Sequence, residues 1–117
     1  MNEFPRHRRV ADELHRQLTL VIREHLDDPK ITWVSITHID VSRDLTHAKV
    51  GISHLQVDQR AASVRVLNQA AGFLRARVGE QMRLRVTPEL KFYEDDAVEA
   101  GEHLSNLIEQ ARARDAE

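Results

Sequence analysis

The side chains best suited to chemistry in this sequence are its arginines, which number 14 against three lysines. The planar guanidinium group offers a fork of N–H donors that matches phosphate geometry, so clustered arginines are typical of phosphate-binding surfaces. The positions that we assign to a candidate phosphate-binding track are Arg6, Arg8, Arg9, Arg16, Arg75, Arg77, Arg83, Arg85 and Lys91. The alternative, that these side chains only solvate the surface and form ion pairs, stays open at this point.

The charge is segregated along the chain, although the net charge is only −2. Residues 60–93 carry seven bases and two acids, a balance of +5, whereas residues 94–117 carry eight acids and two bases, a balance of −6. Because binding depends on local patches and not on totals, the basic block is compatible with a polyanionic partner.

The other reactive side chains form no catalytic or metal-binding pattern. Seven histidines are spread along the chain, and none has the HExxH spacing or another ligand pattern, so we expect them on the surface. Ser42, Ser53 and Asp44 supply hydroxyl and carboxylate groups, yet no motif places a general base beside a nucleophile. We therefore expect a protein that is not an enzyme and that uses no metal or cofactor.

Length and composition predict one domain. A chain of 117 residues is long enough for one hydrophobic core but not for two. The absence of cysteine excludes disulfides, and no apolar stretch approaches the roughly 18 residues of a membrane span or forms a signal peptide. We expect a cytoplasmic protein whose residues 1–110 form a single domain and whose residues 111–117 form a short, frayed acidic tail.

The first quarter of the chain has helical spacing. Pro5 suits the first position of a helix, where its missing N–H has no partner to lose, and the pattern continues to Leu26. The apolar residues that form one buried stripe are Val10, Leu14, Leu18, Val21 and Ile22. Arginines seven residues apart line the opposite face, and Pro29 stops the helix.

A β-hairpin is predicted next. Residues 33–41 are rich in β-branched and aromatic side chains, and their alternation changes phase near His38, which indicates a bulge. Residues 42–44 are turn-like. Ala48, Val50 and Ile52 then alternate with polar residues, as expected for a half-buried second strand.

A bent helix follows the hairpin. Asp58 is a candidate cap, and Gly72 interrupts a helical pattern formed by Leu67, Ala71, Leu74 and Val78, which predicts a bend or a close approach. Gly79 is a candidate helix end. We expect Phe73 to belong to the core.

A short strand and a last helix complete the predicted elements. Leu90 and Phe92 alternate after Pro88 as a third strand, with Phe92 in the core. Asp96 and Glu99 resemble a capping box. The apolar residues expected to face inward from the last helix are Leu104, Leu107 and Ile108.

Three stretches in this order carry a resemblance to a known family. Residues 41–50 have the sequence VSRDLTHAKV, residues 67–75 have LNQAAGFLR, and residues 84–92 have LRVTPELKF, followed by Asp95. The first stretch matches a hairpin in which Ser and Asp-Leu precede Ala-x-Val. The second matches a helix that bends at Ala-x-Gly, and the third matches a third-strand signature. Over residues 6 to about 108, the sequence resembles the ribosome-binding factor A family.

The resemblance implies a fold and a function. The fold is α+β and similar to KH type II, with the order α-β-β-α(kink)α-β-α and a three-stranded sheet covered by helices on one face. The function is transient binding to the small ribosomal subunit and its 16S rRNA, which assists late subunit maturation and matters most in the cold. The resemblance implies no catalytic activity. We expect a monomer that binds neither DNA nor a membrane.

The resemblance also points to the bend as an RNA contact. KH domains clamp single-stranded RNA with a GxxG loop, and here Ala70 stands where the first glycine would be, with Gly72 after it. Because alanine favours helix, we expect a kink, weak reading of base sequence and a structured RNA target. Ala70 and Gly72 therefore join the candidate RNA-binding residues, since glycine permits close approach of a backbone. Alternatively, Gly72 only lets the helix pack on the sheet.

A second function class remains open. The net negative charge and the acidic last helix also suit a protein-interaction module or an obligate dimer without an RNA role.

Overall fold

The computed structural model describes residues 5–95, which form three α-helices and one three-stranded sheet. In chain order the elements are α1 (Arg6–His25), β1 (Val34–Val41), β2 (His47–His54), α2 (Arg60–Gln69), α3 (Ala71–Met82) and β3 (Glu89–Glu94). Short 3-10 helices occupy Pro29–Ile31 and Val57–Gln59. The predicted α+β class and order are confirmed as far as β3. The predicted last helix and the tail at 111–117 lie outside the described residues.

Helix α1 buries the predicted stripe. Pro5 was predicted to be the first helical residue, but it has an extended backbone and is the N-cap, so the helix begins one residue later, at Arg6. The buried residues of α1 are Val10, Leu14, Leu18, Val21 and Ile22. The helix ends when Leu26 turns to an extended conformation, before the 3-10 turn that begins at Pro29.

The sheet has β2 at its centre, antiparallel to β1 and parallel to β3. The register of β1 shifts between Ile36, which pairs with Ile52, and His38, which pairs with Gly51. Thr37 is therefore the extra residue of a bulge, and the predicted phase change is confirmed.

The helices cover one face of this sheet. Val50, Ile52 and Phe92 point to that face and join one core with residues of all three helices. The alternating residues Lys49 and Lys91 are exposed, so the opposite face, here called the open face, is polar. None of the described helices has the length and apolar character needed to cross a membrane.

The break between α2 and α3 falls at Ala70, two residues before the predicted bend at Gly72. Ala70 has φ −92° and ψ 3°, and its N–H still donates to the carbonyls of Val66 and Leu67 at 3.1 Å. The break is therefore a kink, as predicted, and not an open loop. A Cβ added at Gly72 would meet nothing within 4 Å, so the alternative that Gly72 packs on the sheet is wrong.

Three local expectations are also wrong. Asp58 caps no helix, because it lies inside a 3-10 turn that runs directly into α2. Gly79 does not end α3; it lies where a Cβ would be 2.6 Å from Thr87 Oγ1, and Arg83 ends the helix with φ 54°. Phe73 is 42% exposed, because its neighbour Leu74 takes the inward position and the two point about 100° apart on a helix. The prediction that Phe92 lies in the core is confirmed.

Candidate nucleic-acid interface

Arginines from three stretches of the chain lie near one end of the molecule, as the contacts between the elements that carry them indicate. The start of α1 lies beside the end of β1, since one surface cavity is lined by Arg8 together with Asp40 and Val41. The start of β3 lies beside the hairpin turn, because Glu89 N–H donates to the Thr46 carbonyl at 2.9 Å. We call this region the arginine end, and its arginines are Arg6, Arg8, Arg9, Arg43, Arg83 and Arg85.

These six side chains are available to an anionic partner. All six are exposed, and within residues 5–95 none of them forms an ion pair. Arg75 leans toward the same end, because its Nε donates to the Thr87 carbonyl at 3.0 Å. The geometry therefore offers several unpaired guanidinium groups near one end of the molecule, which suits contact with phosphates.

The kink lies at the other end of α3. The Phe73 ring meets the His25 ring, at the end of α1, with centroids 5.8 Å apart and planes at 74°. The Arg77 guanidinium lies over Phe73, 5.4 Å from its centroid, and 3.8 Å from Glu80 Oε2. Because α3 has 12 residues, about 18 Å separate the kink from Arg83.

The predicted site residues therefore do not form one track. Arg6, Arg8, Arg9, Arg83 and Arg85 are together at the arginine end, with Arg75 directed toward it. Ala70, Gly72 and Arg77 lie at the kink. Arg16 projects from the solvent side of α1, paired with Glu13, and Lys91 lies on the open face beside its register partner Lys49.

Sequence reasoning missed two cations. Arg43 was treated only as part of a turn, although a turn that joins paired strands places its tip at the end of a sheet. Lys49 was treated only as the polar partner of buried neighbours, although parallel pairing of β2 with β3 would have placed it beside Lys91.

Hydrogen bonds hold the hairpin turn rigid. Asp44 Oδ1 accepts bonds from Ser42 Oγ at 2.7 Å, Thr46 Oγ1 at 2.7 Å and Thr46 N at 3.1 Å. The Ser42 bond and then the Thr46 bonds stabilise the carboxylate and lower the pKa of Asp44 to about 2. Leu45 takes a left-handed conformation with φ 64° and is partly buried against the core.

A polar cluster covers Gly51 on the open face. Thr37 Oγ1 donates to Asp95 Oδ2 at 2.5 Å, which ties the β1 bulge to the end of β3 across the central strand. Burial, and then the charges of Asp95 and Asp40, raise the pKa of Tyr93 above its ordinary value. A side chain at Gly51 would collide with this cluster.

The histidines form no metal site in the part of the chain that the structure describes. His54 departs from the expected surface position, since it is 4% exposed. Its Nε2 lies 3.1 Å from the Lys30 carbonyl, and its Nδ1 accepts the Gln56 N–H at 2.8 Å. His54 is therefore a core residue that anchors the 3-10 turn before β1.

Comparisons with known proteins agree on one family. The family model described as "Ribosome-binding factor A" matches residues 6–108. A protein of that name from Pseudomonas fluorescens Pf-5 is 43% identical over 118 residues, which covers 98% of this chain and 89% of that protein. A second protein of that name, from Stutzerimonas stutzeri, is 44% identical over 117 residues, which covers 97% of this chain and 91% of that protein.

Solved structures agree on the fold. The crystal structure of ribosome-binding factor A from Thermus thermophilus matches with a TM-score of 0.68 at 23% identity, over 75% of this chain and 94% of that one. Coordinates of the Thermus thermophilus factor fitted into a cryo-EM map of a 30S complex match with a TM-score of 0.63 at 26% identity, over 74% and 91%.

Proposed function

Because the chain belongs to the ribosome-binding factor A family, we propose that it binds the small (30S) ribosomal subunit transiently and assists its late maturation. Binding uses the 16S rRNA, and the protein acts in the cytoplasm as a monomer, without catalysis and without a role on DNA or membranes. Residues 1–110 act as one binding domain. Support for the subunit as partner comes from the Thermus thermophilus relative that was fitted into a 30S complex.

The arginine end is the observation that carries this proposal. Six exposed arginines without ion pairs in the described part of the chain lie on elements that come together near one end of the molecule. Each phosphate that they neutralise releases counterions, so affinity must fall as salt rises. Contact with about five phosphates gives a log–log salt slope of roughly −3.5 on the single-strand scale.

Sedimentation with purified small subunits tests the proposal. We expect the protein in the subunit peak at low salt and its loss as salt rises. The double variant Arg83→Glu, Arg85→Glu should leave the peak, whereas the matched pair Arg23→Glu, Arg65→Glu should remain. Arg23 and Arg65 are exposed on α1 and α2 and are not among the residues of the arginine end. Absence of the wild-type protein from the peak at low salt contradicts the proposal.

Gly72 allows function to be separated from stability. The position is helical and open to solvent, so Gly72→Ala should stabilise the fold by about 1 kcal/mol. If an RNA backbone approaches Gly72, the added methyl group should nevertheless weaken binding to the subunit. If the variant is more stable and binds the subunit as well as wild type does, the kink is not part of the RNA interface.

An exposed apolar patch favours a second candidate, the protein-interaction function. Trp33, Leu55 and Val57 are 55%, 76% and 53% exposed. Leu55 N–H donates to the Trp33 carbonyl at 3.1 Å, which places those two residues side by side, and Val57 follows two residues later. Light scattering tests the obligate dimer. The variant Trp33→Ser, Leu55→Ser tests a contact with subunit protein, because such a contact predicts weaker binding to whole subunits and unchanged binding to protein-free 16S rRNA.

A further inference from the structure

We infer that the hairpin turn Ser42–Thr46 is a phosphate-docking element, in which Arg43 contacts the sugar–phosphate backbone of RNA and Asp44 is a positioning residue. The inference rests on the proposed function and adds to it a site at the arginine end that lies away from the kink. The ligand chemistry is the phosphodiester group, since no aromatic side chain of the described residues lies in this turn to stack on a base.

The turn is organised before any partner arrives. The three bonds to Asp44 Oδ1 and the bond from His47 N–H to Ser42 Oγ at 3.1 Å close the loop around Arg43. Ser42 N–H also donates to the His47 carbonyl at 2.9 Å, and Leu45 N–H to the Ser42 carbonyl at 2.9 Å. A backbone fixed in this way loses little entropy when its side chain engages a ligand.

Two of the acids near Arg43, Asp44 and Glu89, have polar contacts of their own, whereas Asp40 lines the same cavity as Arg8. The Asp44 carboxylate accepts the bonds of the turn, which keep its pKa at about 2. Glu89 lies 3.2 Å from His47 Nε2, and Asp40 lies on the open face opposite its register partner Lys49. Arg43 itself is exposed and has no ion pair among the described residues.

The neighbours of Arg43 make it part of a wider cationic surface. Arg8 lines the same cavity as Val41, two residues before Arg43, and Arg85 is four residues before Glu89, which bonds to the turn at Thr46. A guanidinium group held between these positions can reach a phosphate on the same RNA segment that the other arginines contact.

Salt-dependent binding to small subunits and to protein-free 16S rRNA tests the contact. Arg43→Gln should reduce the log–log salt slope by about 0.7–0.9 on both partners, the effect of one lost phosphate. Arg23→Gln removes the same charge from the far end of α1 and should leave the slope unchanged. Equal slopes for Arg43→Gln and wild type overturn the inference, as does an equal effect of the two variants.

Variants of Asp44 test its positioning role, because charge attraction and loss of the ordered turn predict opposite changes in RNA affinity. Asp44→Ala makes the protein less negative, so simple charge attraction predicts tighter RNA binding, whereas loss of the ordered turn predicts weaker binding and a smaller slope. We expect weaker binding, with recovery in Asp44→Asn, which keeps an acceptor oxygen for Ser42 and Thr46. Tighter binding of Asp44→Ala overturns the positioning role. Failure of the wild-type protein to bind at all would instead contradict the proposed function.

Discussion

Gly51 gives the sharpest test of how the open face is built. An ideal Cβ at this position would lie 2.7 Å from Asp95 Oδ2, 2.8 Å from Thr37 Oγ1 and 2.9 Å from Tyr93 Oη. All three groups must move to admit a methyl group, and the Thr37–Asp95 hydrogen bond must open. Overpacking of this kind costs about 1–3 kcal/mol, while replacing glycine in a strand returns about 0.5–1 kcal/mol. We expect Gly51→Ala to lower the free energy of unfolding by about 1 kcal/mol, the difference between the middles of these two ranges.

Urea unfolding measures this change. The chain has one tryptophan, so the fluorescence of Trp33, next to β1, reports on the sheet directly. We expect a lower midpoint with an unchanged denaturant slope, because the surface exposed on unfolding is the same. Gly72→Ala is the matched control, since the same substitution in open space on a helix should raise the midpoint.

A double-mutant cycle identifies the cause of the loss. Thr37→Ala removes one of the three crowding atoms, so Gly51→Ala should cost less in that background than in wild type. A Gly51→Ala protein at least as stable as wild type would refute the reasoning. Strict additivity with Thr37→Ala would show that the collision with Thr37 is not the source of the instability.

Three further predictions concern pKa values and a side chain that binds β3. Tyr93 is the one tyrosine, so ultraviolet titration should give it a pKa above the ordinary value near 10. Because the folded state holds the proton more tightly than the unfolded state, the free energy of unfolding should fall as pH rises above the ordinary pKa. Asp44, whose pKa is lowered to about 2, contributes stability above its ordinary pKa that should disappear as pH falls toward 2, and the acid unfolding of Asp44→Ala should lack this component. The Asn68 side chain donates to the Phe92 carbonyl at 3.0 Å and accepts the Phe92 N–H at 2.9 Å. Asn68→Ala should therefore lower the free energy of unfolding, measured in urea, by about 2 kcal/mol.

Periodicity predicted what depends on neighbours in the chain. The buried stripe of α1 and the bulge of β1 follow from spacing alone, because a misplaced apolar residue would have to face water. The break was predicted correctly as a kink and not an open loop, but it falls at Ala70 and not at Gly72. The bend was assigned to Gly72 because glycine is costly in a helix. Packing at this position does not require glycine, since a Cβ there would meet nothing within 4 Å.

Long-range placement could not be predicted in the same way. Gly79 was assigned to a helix end, although its reason for being glycine is Thr87, which approaches it from the segment before β3. Phe73 was assigned to the core because of its residue type, whereas the helix gives the inward position to Leu74. The arginines were assigned to one track, but which of them lie near one another depends on β3 pairing beside the hairpin turn, a contact that no local pattern contains.

The separation of charge explains how an anionic protein can bind an anionic partner. Helix α1 has 20 residues and is about 30 Å long, so its two ends are several Debye lengths apart at physiological salt, where that length is about 8 Å. Strand β3 begins at the arginine end and leads away from it, so the acidic residues Glu94 and Asp95 lie at the far side of the sheet. A phosphate at the arginine end therefore responds mainly to the guanidinium groups beside it. The salt dependence of binding should accordingly follow the arginines of that end and not the net charge of −2.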